Sequence, residues 1–188
     1  MKHGSAILLA GGRSSRMGKD KAALDFHGAS FLQHQVDKLR SAGIEDIVIA
    51  GGPGAAEGCR CVPDVYPGRG PLGGIHAGLL AVREPCALVM AVDTPLVPVP
   101  LLTELMEHHR AGVTLVSCRG QLEPLIAVYD SALARRCEEI LQGENTSLRK
   151  LIQAVGFSAL EYTGDPELLR NCNTPADYDR LTALQRQK

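Results

Sequence analysis

The run LLAGGRSSRMGKDKAAL, Leu8 to Leu24, sets two adjacent glycines and the cations Arg13, Arg16, Lys19 and Lys21 directly behind an apolar stretch. Gly11 and Gly12 would let backbone N–H groups come close to an anion. The guanidinium and ammonium groups supply fixed positive charge. Together they suit a polyphosphate. A flexible basic surface loop is the plain alternative, but it leaves the coincidence of glycines, cations and preceding apolar run without a reason. Two familiar phosphate loops do not fit. Gly12 and Gly18 are separated by five residues where the Walker pattern has four, and Lys19 is followed by Asp20 rather than Ser or Thr. The dinucleotide fingerprint G-x-G-x-x-G is absent as well. Met17 reads as an anchor into the core.

A second chemical signal is VMAVDTPLVP, where Asp93 follows a buried-looking apolar run. A carboxylate at that position stands at the mouth of a site. A polyphosphate arrives with Mg²⁺, which is typically held by one or two carboxylates plus phosphate oxygens. Asp93 also suits a turn cap before Pro95, and the two roles are compatible. The third signal is PDVYPGRGPLGGIHAGL, with Asp64 after a short strand and Gly70, Gly73 and Gly74 behind it. An ordinary Gly/Pro turn explains that stretch equally well. Glu123 in QLEPLIAVY could line an acceptor side. His76 opens a helix after GPLGG and His34 lies on a helix with apolar neighbours; neither reads as a base.

Short apolar runs alternate with longer amphipathic ones. Strands are expected over Ser5–Ala10, Asp46–Ala50, Cys61–Pro63, Cys86–Val92, Val113–Cys118, Pro124–Tyr129 and Gly156–Tyr162. Helices are expected over Phe31–Ser41, Ile75–Val82, Leu101–His109 capped by Gly112, Ser131–Leu141, Thr146–Val155 capped by Thr146 or Ser147, and Pro175–Gln185. Pro67–Gly74 reads as a loop. This alternation predicts an α/β fold, three-layer α/β/α, with a mostly parallel sheet. Its length of 188 residues suits a single domain, 1–188. In such sheets ligands bind outside the carboxyl ends of the strands, where the glycine loop and Asp93 both fall.

Composition narrows the field. The net charge of −1 argues against nucleic-acid binding. No apolar segment is long enough to span a membrane, and the start MKHGSAILLAGG is not a signal peptide, so a cytoplasmic protein is expected. Aromatics make up only 4%, which leaves Leu, Val, Ile and Ala to fill the core. The six cysteines form no C-x-x-C pair and read as small buried thiols. Cys59 and Cys61 alone are weak support for a metal.

LAGGRSSRMGKDKAAL, then GPLGGIHAGL, VDTPLVP and finally NCNTPADY resemble the motifs of the molybdenum cofactor guanylyltransferases, nucleotidyltransferases of the glycosyltransferase-A-like type. The match runs from Leu9 to Tyr178. The resemblance implies a Rossmann-like nucleotidyltransferase fold. It implies transfer of GMP from GTP to molybdopterin, giving the guanine dinucleotide and pyrophosphate, with Mg²⁺ as cofactor. Leu9, Ala10 and Gly11, with Gly12 beside them, would contact the nucleotide through the backbone. Lys21 would contact its phosphates, Asp64 the nucleotide, and Asp93 both Mg²⁺ and nucleotide, with Asn173 a second polar group near the metal. Arg13, Arg16 and Lys21 would join Asp93 in catalysis by holding charge on phosphorus and leaving group. Some relatives carry Asn at the end of the second strand; IVIAGG has Ala50 there, which leaves more to the loop backbone. Partners implied are a molybdenum-insertion protein and recipient molybdoenzymes. Rival readings are a transferase using CTP or a sugar phosphate, and a catalytically silent GTP-binding module.

Overall fold

The run SAILL forms strand β1, Ser5–Leu9, and every residue in it is buried. Side chains alternate across a strand. Ala6 and Leu8 therefore enter one core, and Ile7 and Leu9 the other. A strand covered on both faces is near-continuously apolar, as this one is after Ser5, whose hydroxyl bonds Asp46. The structure, a computed structural model, describes residues 4–11, 25–26, 29–52, 55–172 and 177.

The remaining elements follow in order. They are the short pair β2 (Asp25–Phe26) and β3 (Ala29–Ser30), helix α1 (Phe31–Ser41), β4 (Asp46–Ala50) and β5 (Arg60–Val62). Then come α2 (Pro71–Ala81), β6 (Cys86–Ala91), α3 (Val99–His108), β7 (Val113–Cys118) and β8 (Gln121–Asp130). After a 3-10 turn at Ser131–Leu133 come α4 (Ala134–Leu141), α5 (Leu148–Val155) and β9 (Ser158–Glu161). The seven-stranded sheet has the order β5-β4-β1-β6-β8-β7-β9. All neighbours pair in parallel except β8, which is antiparallel to both β6 and β7. Helices α1 and α3 cover one face, with Phe31, Val36, Leu39, Leu102 and Leu105 in its core. Helices α2, α4 and α5 cover the other, with Leu72, Ile75, Cys137, Leu141 and Leu151. This is the expected three-layer arrangement with a mostly parallel sheet.

Local signals explain most element ends. Ser30 caps α1 by accepting the N–H of Gln33 at 3.1 Å, and Ser147 caps α5 at Lys150. Several expected bounds shift. Helix α2 begins at Pro71, inside the stretch read as loop, because Pro suits the first helical position. Helix α3 ends at His108, with His109 rather than Gly112 as its cap. Gly112, at φ +69°, belongs to the turn into β7, where its N–H meets Asp130 Oδ2. Strand β8 is longer than expected and forms a hairpin with β7. Of the cysteines, Cys86, Cys118, Cys137 and Cys172 are buried as expected, but Cys61 is exposed and Cys59 lies between. Apart from residue 177, the closing helix expected over Pro175–Gln185 lies outside the described residues.

Candidate functional site

Strand β1 sits where the sheet reverses its winding: β4 and β5 lie to one side, and β6 and everything after it to the other. Open α/β sheets bind ligands in the crevice at that point. The two strand ends that form it are stitched together. Val92 N–H donates to Leu9 O at 3.1 Å, and Ala10 N–H donates to Ala50 O at 3.0 Å. The chain past Leu9 and the chain past Ala91 therefore leave the sheet side by side, which brings Gly11 and Asp93 to the same edge.

On the β4 side the crevice is built of backbone. A Cβ on Gly11 would stand 2.2 Å from Gly51 O, and one on Gly52 would stand 2.7 Å from Ala10 O. Neither position tolerates a side chain, so the two loops run backbone against backbone. Gly51 adopts φ +77° with Asp64 Oδ1 only 3.0 Å from where its Cβ would be. Helix α2 approaches from the other flank. Gly74 lies over Leu9 and Gly78 over Ile7, where added Cβ atoms would be 2.8 Å and 2.5 Å from those side chains. The same helix sets Gly73 and Gly74 against the Asp64 carboxylate. Asp64 Oδ1 is buried and has no hydrogen-bond partner. Burial without a donor raises the Asp64 pKa above the ordinary carboxylate value. Such an acceptor is suited to donors brought by a ligand. Ala50, where some relatives carry Asn, is fully buried in this wall.

Asp93 follows β6, half-buried, in a turn tethered from outside. Ala91 O accepts Thr94 Oγ1 at 2.9 Å. Gln35 Nε2, from α1, reaches Ala91 O at 3.3 Å, Val92 O at 3.4 Å and Thr94 O at 2.9 Å. Asp93 O accepts the N–H of Cys172 at 2.7 Å. Pro95 O meets Lys38 Nζ at 2.5 Å and His34 Nε2 at 3.1 Å. Desolvation pulls the Lys38 pKa down to about 7.

Beyond β6 a cavity of about 680 Å³ opens at the same edge of the sheet, lined by Cys118, Arg119, Glu123, Arg170 and Asn171 among others. Asn171 directly precedes Cys172, so the cavity borders the Asp93 turn. Burial raises the Glu123 pKa. Arg119 and Arg170 bring positive charge to the same cavity.

Five expected residues thus meet at one edge: Leu9, Ala10, Gly11, Asp64 and Asp93. Gly12, Arg13, Arg16, Lys21 and Asn173 lie outside the described residues, as do Met17 and Lys19. Glu123 lines the cavity as expected. His34 is structural, through Pro95. His76 is 1% exposed and sits beneath Tyr66 with ring centroids 5.5 Å apart; its burial lowers its pKa. It does not open the helix, which begins at Pro71, and it has no open path to a ligand. Gln35 and Lys38 escaped the sequence reading. They fall on the same helix as Leu32, Val36 and Leu39 but look like ordinary polar helix positions. Among the described residues no group of three or more His, Cys, Asp or Glu side chains could hold a metal alone. A single carboxylate is nonetheless enough for Mg²⁺ when phosphate oxygens complete the shell.

The chain matches the MobA-like NTP transferase domain over residues 6–160. It is 33% identical to the molybdenum cofactor guanylyltransferase of Xanthomonas euvesicatoria pv. vesicatoria, with 94% of this chain and 93% of that protein covered. Among solved structures it resembles molybdopterin-guanine dinucleotide biosynthesis protein A from Archaeoglobus fulgidus, at TM-score 0.78 and 20% identity, covering 98% of this chain and 100% of that one. It also resembles 2-C-methyl-D-erythritol 4-phosphate cytidylyltransferase from Thermus thermophilus, at TM-score 0.70 and 19% identity, covering 97% and 99%. The family match spans most of the chain, and the chain belongs to the MobA-like NTP transferase family.

Proposed function

We propose that this nucleotidyltransferase moves GMP from GTP to the terminal phosphate of molybdopterin, forming molybdopterin guanine dinucleotide and pyrophosphate. One observation carries the reading. Asp93 follows β6, between the Gly11–Gly51–Asp64 crevice and the cavity lined from β7 and β8. A transferase must hold donor and acceptor on either side of the reacting phosphorus, and this is such an arrangement.

In the reaction an acceptor phosphate oxygen bonds to the α-phosphorus of GTP. The bond from that phosphorus to the α,β-bridging oxygen breaks, and pyrophosphate leaves with the electron pair. The attacking oxygen is already anionic, so no strong general base is needed. The residues must instead align the groups and offset negative charge. Gly11 brings backbone close to the nucleotide. Asp64 Oδ1 offers a buried acceptor to the N1–H and N2–H₂ edge of guanine, two adjacent donors that cytosine and adenine do not present together. Arg119 suits an anionic acceptor; Arg170 is already paired with Glu167 at 3.2 Å, and Glu123 and Asp177 share the lining. Arg13, Arg16 and Lys21 would neutralise the phosphates, and Lys21→Ala is expected to abolish most turnover. Mg²⁺, held by Asp93 and phosphate oxygens with Asn173 as a further polar group, would draw charge from phosphorus and leaving group when bound. The reaction is assigned to the cytoplasm, where GTP is made. A molybdenum-insertion protein would supply the acceptor and molybdoenzymes would receive the product.

The test is thermal stabilisation by GTP, CTP and ATP, each with Mg²⁺ and with EDTA. A ligand at a hundred times its dissociation constant stabilises by about 2.7 kcal/mol. A shift confined to GTP with Mg²⁺ is expected. Equal shifts with all three would remove the guanine assignment, and none would remove the nucleotide.

A further inference from the structure

Every carbonyl from Ala91 to Pro95 accepts a hydrogen bond, and α1 reaches four of those five positions. The fifth, Asp93 O, is taken by Cys172. The side chains responsible are expensive to bury. Gln35 is fully buried and Lys38 is 9% exposed. Gln35 Oε1 has no hydrogen-bond partner, an omission that normally destabilises a fold. A helix that only had to pack would place leucine here, as it does at Leu32 and Leu39 on the same side. What the polar side chains supply is direction: an amide and an ammonium aimed at carbonyls fix the path of a turn that leucine would merely touch. The turn they fix is the one from which the Asp93 carboxylate projects.

We infer that Gln35 and Lys38 are positioning residues, which clamp the Ala91–Pro95 backbone so that the Asp93 carboxylate keeps one placement relative to the end of β1. The clamp rests on the reading of Asp93 as the metal-binding carboxylate of a GTP-dependent transfer. It acts through the backbone alone, since neither side chain needs to touch ligand. It also ties α1, the first helix after the glycine-rich basic segment, to the far wall of the crevice.

The experiment compares wild type with Gln35→Met, Lys38→Met and Lys38→Arg. Three quantities are measured on each: urea stability without ligand, GTP affinity in EDTA, and Mn²⁺ affinity in the presence of GTP by electron paramagnetic resonance. Residues that orient metal ligands typically cost 10- to 100-fold in metal affinity when replaced. Both methionine variants are therefore expected to bind Mn²⁺ about tenfold more weakly or worse. Their GTP affinity in EDTA should change little. Gln35→Met, which removes the donor to Thr94 O, should lose some stability, whereas in Lys38→Met, where His34 still meets Pro95 O, stability should hold or rise. Lys38→Arg, which keeps a donor, should stay close to wild type. Unchanged Mn²⁺ affinity in both methionine variants overturns the clamp. So does a loss confined to stability. A wild-type protein that binds neither GTP nor Mn²⁺ overturns the GTP reading itself, a result distinct from either.

Discussion

The N–H of Cys172 donates to the carbonyl of Asp93 at 2.7 Å. The bond joins the segment after β9 to the mouth of β6, and so makes one structure of the crevice and the cavity that Asn171 lines. Cys172 itself is fully buried. Two substitutions separate its side chain from its N–H. Cys172→Ala keeps the donor and should cost about 1 kcal/mol of stability with turnover preserved. Cys172→Pro removes the donor and should lower turnover at least tenfold, an estimate in line with the cost of small misplacements at a reacting centre. Equal turnover in the two would mean the bond does not matter to the site.

Asp64 is a carboxylate held without a donor, and its raised pKa has a definite sign. The folded state retains its proton to higher pH than the unfolded chain. Stability therefore falls as pH rises through that interval, and the penalty is complete above the folded-state pKa. Asp64→Asn should raise the melting temperature at pH 7, and the gain should vanish at acid pH below the ordinary carboxylate value. The same variant should lose GTP affinity, read by titration calorimetry. An Asn that melts lower at pH 7 would show that Asp64 is stabilised in a way its environment does not suggest.

Lys38 behaves in the opposite sense. Its pKa falls from 10.5 to about 7 because burial disfavours the ammonium. The penalty is complete below pH 7 and is relieved as pH climbs towards 10.5. Lys38→Met should thus be most stabilising near pH 6 and gain progressively less towards pH 10. Urea titrations across that range measure the trend. A difference independent of pH would place the lysine's charge in water.

Gly78 tests how closely α2 must sit on β1. A Cβ there would lie 2.5 Å from Ile7 Cγ2. Gly78→Ala gains helix propensity of up to about 1 kcal/mol, but overpacking a full core costs about 1 to 3 kcal/mol. A net loss of about 1 kcal/mol is expected. In the Ile7→Ala background, where the obstructing atoms are gone, the loss should disappear. Additive changes would remove the steric argument.

The parts of the fold that were legible in the sequence are those buried on both faces. After their polar first residues, Ser5 and Asp46, SAILL and DIVIA are apolar to the end, as CALVMA is throughout, because a central strand has no polar side to show, and each became a strand within a residue of its expected bounds. Asp93 stood out because it follows such a run; Asp64 follows only the short edge strand β5, and its role came from the resemblance. The direction of β8 was not foreseen, although its signal was present. Arg119 and Gly120, with φ of 53° and 77°, form a two-residue hairpin turn of the sort that a glycine in its second position favours. Pro71 likewise marked the start of α2. Gln35 and Lys38 carried no signal of their own. A polar residue on an amphipathic helix normally faces water, and only the position of the β6 turn in three dimensions turns these two inward.

Strand β1 pairs with β6 along its whole length, residue 5 against residue 87. Closing so long a span costs entropy before any contact repays it. During synthesis the first strand must therefore wait, with one side open, until β6 has left the ribosome. The loop behind Leu9 and the aspartate behind Ala91 acquire their relation in that one event. A chain halted before residue 86 would carry the glycine-rich segment and the Gly51–Asp64 wall in full and yet lack the Asp93 turn that faces them.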